Sequence, residues 1–474
     1  MANSILIDQA RKDCERFINS LDLDQICRLA SSYHGGLPCQ VSRVMRYNPF
    51  NVGVIVMFPA FPPESWVVRL PIPGLVVWID EKFEAELATM RYVGAKTTIP
   101  IPRVHGYSFT EGSPIQMAFI IMDCIAGRNL VDLDFPFPTQ NKACSSEIQD
   151  ILTRKLYRQL ADFCIQLRQL EFPEVGALGL PIVDGRPVYE CDPDDIHVRH
   201  RPMSMEMCLQ EIQGFEAGDK VPPRTTFSTA SSFVNEALLR LADNEFDKCS
   251  DVGLDTRRGQ QYLYARHHFQ SFVLDTWLDP GTEKGPFVLM HGELDVTLDN
   301  LLFDNDLNLV GVKDWEWSCV VPIQIFVPPV WLVGGPPEWM IGHTTPFNRE
   351  AGRLVAAIRE RETALQLPPQ LSIEWDETEW WCHTAIVMAL RHPDLTYDVF
   401  WHFLFGECVV PIPAYYEYRY TEFYRSVILP LLTEFLATPG RKALLARKMM
   451  EQRFFYNAEK NYFKYKEAQR ILKE

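Results

Sequence analysis

Side chains able to bind cations or move protons crowd Phe287–Ser318, among them His291, Glu293, Asp295, Asp299, Asn300, Asp304 and Asp314. They sit among three apolar runs, Phe287–Met290, Leu301–Phe303 and Leu309–Val312. Runs of this length bounded by polar turns predict short buried strands. Asp306 and Asn308 between the last two runs predict a β-hairpin. Its base would carry a loop, Glu293–Asn300, on one side and Asp314 on the other. A carboxylate carried into a core costs free energy unless it is paired, hydrogen-bonded or bound to metal. Acids gathered around apolar strands therefore point to a bound cation or to proton transfer.

The spacing narrows that choice. Asp295 and Asn300 form D-x4-N, and Asp314 opens D-W-E beyond the hairpin. Phoshoryl transfer of the kinase type uses an Asp to orient the acceptor hydroxyl, with an Asn five residues on to bind metal. An Asp after the next hairpin binds metal that bridges the phosphates. The chemistry needs these residue types because a transferring phosphate carries several negative charges. Hard cations held by oxygen ligands offset that charge at close range. Isolated acids of this kind more often cap turns, but three agreeing spacings argue against that role for the set.

The segments HGEL, NLLFD and GVKDWE resemble the aminoglycoside phosphotransferase-like family, small-molecule kinases related to choline kinases. The resemblance implies an α+β, two-lobed protein-kinase-like fold. A small antiparallel β-sheet N-lobe with one helix would sit on a large, mainly α-helical C-lobe. It implies metal ligation by Asn300 and Asp314, and His291 as the loop histidine. The family pattern H-G-D-L-x-x-x-N places one Asp both after His-Gly and five residues before the Asn. Here the two properties separate. Glu293 follows His291–Gly292 but lies seven before Asn300, whereas Asp295 keeps the five-residue spacing. Asp295 is the first candidate for the base, because reach to the metal-binding Asn is a geometric requirement; Glu293 is the alternative. The implied cofactors are ATP and Mg2+, and the implied acceptor is a hydroxylated small molecule. A catalytically silent kinase-like binding or scaffold protein is the other reading. A protein kinase is disfavoured, since no H-R-D, D-F-G or A-P-E set occurs.

These residues need a framework. Residues 4–32 predict one or two helices. Residues 39–72 alternate as antiparallel strands do, with strands in CQVSRVMRYN, Asn51–Phe58 and Trp66–Pro71. The turn between the first two, Arg46–Asn51, is glycine-poor, with Gly53 just beyond. By resemblance this turn covers the nucleotide phosphates, Arg69 pairs with them, and Glu86 of the helix around Phe83–Val93 holds Arg69. The apolar strand within Met117–Gly127 leads by resemblance to an adenine-binding hinge at Met122, Asp123 and Cys124. The lobe boundary then falls there, giving 1–123 as helices plus nucleotide-binding sheet and 124–474 as the helical catalytic and substrate lobe. Ser145–Phe172 predicts a long helix behind the catalytic loop. Proline-rich Val320–Met340 cannot be regular helix throughout. Trp315, Trp317 and Trp331 are candidates to line a pocket for a cationic substrate.

Composition bounds the rest. The chain has 474 residues, 47% hydrophobic and 23% charged, which is globular. A net charge of −16 argues against nonspecific nucleic-acid binding. Twelve scattered cysteines without C-x-x-C suit free thiols in a reducing, cytoplasmic compartment. The first residues lack a signal-peptide core, and no run of 18 apolar residues predicts a membrane span. The tail Arg441–Glu474 has ten basic and four acidic residues with interleaved aromatics. It is expected as a helix docked on the acidic body of its own chain, with a membrane-surface role as the alternative.

Overall fold

A computed structural model describes residues 4–59, 63–137, 146–248, 253, 255–292, 297–376, 380–408 and 420–471. The chain forms two compact units. One is made of residues 9–230 and 284–380, the other of residues 1–8, 231–283 and 381–474.

From Gln9 on, the first unit has the rest of helix α1 (Ser4–Ser20), helix α2 (Leu23–Tyr33) and a five-stranded antiparallel sheet. The strands are β1 (Gln40–Arg46), β2 (Asn51–Phe58), β3 (Glu64–Pro71), β4 (Val104–Ser108) and β5 (Phe119–Asp123), in the order β1-β2-β3-β5-β4. Successive side chains on a strand point to opposite faces. Val54, Val56, Phe58, Trp66, Val68, Leu70, Phe119 and Ile121 therefore share one face, where Ile26, Leu29 and Ala30 of α2 cover them. Val67 and Arg69 must take the other face. Arg69 stands opposite Gly53 on one side and Ile120 on the other. Helix α3 (Ile79–Lys96) supplies Glu86 to Arg69 on that face.

Helix α4 (Ser146–Arg168) follows, with its apolar residues at helical spacing. Beyond it, β6 (Phe287–Met290) pairs antiparallel with β9 (Cys319–Pro322), and β7 (Leu301–Phe303) pairs with β8 (Leu309–Val312). The hairpin thus forms over the runs that the sequence marks out. Its turn is closed by Asp304, whose Oδ1 accepts from the N–H groups of Asp306 (3.0 Å) and Asn308 (2.8 Å). Helix α4 holds the same turn from behind: Gln159 accepts from Leu309 N at 2.6 Å and donates to Leu307 O at 2.9 Å. The proline-rich stretch resolves into β9, two short 3-10 turns and the helix Pro337–Gly342.

The second unit is helical among its described residues. Helix Thr256–Phe272 continues through a wider π turn to Trp277, and Tyr424–Ile428 is another such turn. The basic tail is the helix Arg441–Ile471. Lys448 on it is fully buried and donates to the carbonyls of Phe246 and Asp247, at the end of helix Arg240–Lys248. A cation is well placed on such orphan carbonyls at a helix C-terminus. Further along, Tyr462 and Lys466 both contact the carboxylate of Asp8. No helix among the described residues is long and apolar enough to cross a membrane.

Candidate active site

The centre of the candidate site is a set of charged groups with almost no access to water. Arg69, Lys82, Glu86, Asp314 and Glu316 are each at most 4% exposed. Two turns of one helix supply opposite charges. Lys82 and Glu86 lie four residues apart on α3 and so share a face. Glu86 takes Arg69 in a two-pronged contact, with Nη1 to Oε1 at 2.6 Å and a second contact from Nη2 to Oε2. Lys82 Nζ contacts Glu316 Oε2. It also lies 4.8 Å from the ring of Trp317 and 5.5 Å from that of Phe50. Arg69 Nη1 also lies 3.7 Å from Asp314 Oδ1.

The hairpin delivers the acids. Leu301 pairs with Val312, so Asn300 and Lys313 face each other at its base, where Lys313 N donates to Asn300 O at 3.0 Å. Asp314 comes next and adopts a left-handed backbone, φ 65°, as does Trp317 at φ 62°. Non-glycine residues rarely take this conformation, and it costs about 1–3 kcal/mol where they do. It turns the chain sharply on both sides of Glu316. Trp315 goes inward, its indole donating to Val312 O at 3.0 Å. His291 is buried with Nε2 3.1 Å from Lys313 O and its ring 4.8 Å from that of Trp315. Gly292 is required by close approach: a Cβ there would lie 2.5 Å from the Trp317 carbonyl carbon. Glu293 and Asp295, the two candidate bases, lie outside the described residues.

The β1–β2 turn completes the set. Asn48 precedes Pro49, a turn-initiating pair. Its Oδ1 accepts from the N–H groups of Phe50 and Asn51, both at 2.9 Å. Its Nδ2 donates downward to Asp314 Oδ1 and Oδ2, both at 2.9 Å, and to Glu316 Oε1 at 2.8 Å. Asn51 Nδ2 reaches Glu316 Oε2 at 2.9 Å. Gly53 leaves room for the Tyr47 ring, whose carbon would lie 3.1 Å from a Cβ there.

Electrostatics follow from this burial. Burial, reinforced by Glu316, pushes the Asp314 carboxyl up to about 7 despite Arg69. Burial also opposes ionisation of Glu316, but Lys82 and Arg69 outweigh it and hold that carboxyl below its usual range. Burial works against the charge on Arg69, yet Glu86, Glu316 and Asp314 keep its pKa above the ordinary value. The Tyr47 hydroxyl is pushed up by burial and then by Asp314.

The segment expected as the hinge is further from these charges in the sequence but tied to the same hairpin. Arg128 exchanges two backbone hydrogen bonds with Phe303, 2.9 and 2.8 Å. A Cβ at Gly127 would lie 2.8 Å from that of Leu302. Met122 pairs within the sheet with Val67 and Val104. Asp123 N and Cys124 N donate to Arg103 O and Ser65 O, each at 3.0 Å, so these two N–H groups serve the sheet. The Asp123 side chain takes His105 Nε2 at 2.6 Å.

Residues 62–324 match the sequence profile of the Phosphotransferase enzyme family. The chain belongs to this family. Its fold is α+β and protein-kinase-like, with the five-stranded antiparallel sheet ahead of a large helical portion. A similar curated protein is "Clavilactone A biosynthesis cluster protein Y" of Ampulloclitocybe clavipes, 22% identical over 297 residues. That match spans 63% of this chain and 63% of the relative, so the chain covers under two thirds of that protein. Among solved structures, a putative fructosamine-3-kinase from Thermobifida fusca is 14% identical with a TM-score of 0.41, covering 79% of this chain and 96% of that one. A macrolide 2'-phosphotransferase type I is 13% identical with a TM-score of 0.39, covering 79% and 93%.

The donor set of a family member can be tested for cation chemistry. Asp314 and Asn300 offer oxygens, which suit a hard divalent ion. Asn300 is 3% exposed, and its Nδ2 has no partner among the described residues. Arg69 Nε, Trp317 Nε1 and Asn51 Oδ1 are also buried without partners among them. Buried orphans are costly, and four in one neighbourhood fit a site that awaits a polar ligand.

Sequence reasoning missed four participants. Glu316 was in view as the last letter of D-W-E. Asn48 and Asn51 carried a signal in Asn-Pro-Phe-Asn, which marks a side-chain-capped turn. Lys82 carried none, since a lysine in the first turn of a helix is ordinarily solvated. Of the three tryptophans, Trp315 and Trp331 are core residues at 1% exposure, and the cation over Trp317 is the chain's own Lys82.

Proposed function

We propose that this protein transfers the γ-phosphate of ATP to a hydroxyl of a small molecule, in a Mg2+-dependent reaction. The observation that carries the proposal is Asp314: a carboxyl group buried at the base of the hairpin that also carries the buried Asn300, with Arg69 Nη1 3.7 Å from its Oδ1, beyond direct hydrogen-bond reach. Asn300 and Asp314 would hold Mg2+, which when bound offsets the negative charge of the phosphates. Arg69, fixed in place by Glu86, would steady the phosphates as a pre-oriented fork of donors. Asp295 would orient the acceptor hydroxyl and take its proton, with Glu293 as the alternative, and His291 would shape their loop. The backbone of Met122–Cys124 would flank adenine; with two of its N–H groups engaged in the sheet, the remaining carbonyls and the following residues carry that contact. The name of the relative from the clavilactone A cluster supports a search for the acceptor among small metabolites rather than proteins.

A second reading, a silent kinase-like binding protein, draws on the Asn48 amide seated on the Asp314 carboxylate. Thermal unfolding of the purified protein with ATP, with and without Mg2+, tests the binding that the first reading needs, and a screen of hydroxylated amines for phosphate acceptance then separates the two. A Mg2+-dependent rise in Tm is expected, since a ligand that binds only the folded state stabilises it. No shift at millimolar ATP would favour the silent reading.

A further inference from the structure

Three carboxylate oxygens converge on one atom. Asp314 Oδ1, Asp314 Oδ2 and Glu316 Oε1 all lie 2.8–2.9 Å from Asn48 Nδ2. An amide nitrogen has two hydrogens, so it cannot give a full hydrogen bond to each of three acceptors. It is equidistant from the two Asp314 oxygens, which is the line of approach of a cation that binds a carboxylate through both. Lys82 and Asn51 take the other Glu316 oxygen, Oε2, so Oε1 is the one turned towards this point. Asn51 Oδ1, fully buried and without a partner among the described residues, adds an acceptor on the same side chain that touches Glu316.

We infer that this point is a cation subsite which Asn48 closes, with Glu316 as a ligand alongside Asp314, and that a divalent cation displaces Asn48 and frees the β1–β2 turn. The inference rests on the reading of Asp314 as a metal ligand and adds Glu316 and the gate. The coupling is mechanical. The same Asn48 side chain holds the N–H groups of Phe50 and Asn51 through its Oδ1. Lifting Nδ2 off the acids therefore moves the turn that covers the phosphates in kinase-like folds. A glycine-rich turn is open by default; this turn is latched by a side chain, and the cation is the key.

The test uses Mn2+ as probe, the nucleotide-free protein, and two readouts besides activity: Mn2+ affinity by titration calorimetry, and amide hydrogen exchange across residues 46–53. Two variants keep an oxygen for the turn and remove the competing amide donor. Asn48→Ser is expected to bind Mn2+ about tenfold more tightly than wild type, the equivalent of one strong hydrogen bond to a charged group. Asn48→Asp, which is isosteric, is expected to unfold at lower temperature without Mn2+ and to show a larger Mn2+-induced rise in Tm than wild type. In wild type, Mn2+ should speed exchange at Phe50 and Asn51. Equal or weaker Mn2+ binding by both variants, while Asp314→Asn still abolishes it, would overturn the gate and leave the metal reading standing. No Mn2+ binding by wild type or either variant would overturn both.

Discussion

Two turns in this protein use the same local chemistry and end in different roles. Asp304 and Asn48 each close a β-hairpin by accepting backbone N–H groups of the following residues. Asp304 spends its second oxygen on Asn308 Nδ2 at 2.8 Å, within the turn itself. Asn48 spends its second polar atom on Asp314 and Glu316, more than 260 residues away. The first turn is solvent-facing at its acid and remains a connection. The second lies over buried acids and becomes part of the candidate site. The difference teaches that residue type sets the turn, while the surroundings of the spare polar atom set what the turn does.

The contrast can be broken or sharpened by substitution. Asp314→Asn is expected to reduce phosphoryl transfer to background, a loss on the order of a thousandfold or more where charge stabilisation is the main catalytic contribution. A rate within tenfold of wild type, measured by nucleotide consumption with an accepted substrate, would remove the buried acid from the chemistry. Glu86→Ala strands the fully buried Arg69 and should lower stability by about 3–5 kcal/mol, the range for breaking one side of a buried pair. Urea unfolding checks this, and a loss near that of an exposed pair, at most about 1 kcal/mol, would mean that solvent reaches the site. Asn48→Ala should cost about 2–4 kcal/mol by the same measurement, because two buried carboxylates lose a donor as well as the turn losing its cap. Asp304→Ala should cost only about 1 kcal/mol, a local cap replaced by water. Equal losses at Asn48 and Asp304 would erase the distinction between the two turns.

Much of the fold is legible in the sequence. The runs Leu301–Phe303 and Leu309–Val312 became the paired strands β7 and β8, because short apolar runs between turn residues have few other ways to be buried. The resemblance implies the Arg69–Glu86 pair, and the two side chains do meet, on the face of β3 turned away from α2. Helix α3 began earlier than its apolar pattern suggested, at Ile79 rather than Phe83. The added turn brings in Lys82, whose burial depends on Glu316 across 234 residues. No local pattern encodes such a pairing. The adjacent His267 and His268 also show the limit of local reading: both rings lie near that of Phe435, at 5.5 and 6.1 Å.

What the sequence by itself determined is the set of elements and the membership of the site's hairpin: D-W-E, the Asn300 position, the strands that carry them, and the family to which they belong. The elements follow from periodicity and spacing, which are properties of a chain read locally, and the family from the resemblance of its motifs. Only the tertiary structure added Lys82 and Glu316 to the expected Arg69–Glu86 pair and set Asp314 beside them. Arg69, Lys82, Glu86, Asp314 and Glu316 come from three separate segments, and each would be an ordinary solvated residue alone. Burial makes them a site, because in a medium that does not screen charge every group must find a partner, and the partners lie far along the chain. The left-handed turns at Asp314 and Trp317 and the reach of Asn48 belong to that level as well: they exist because the packed surroundings hold them there.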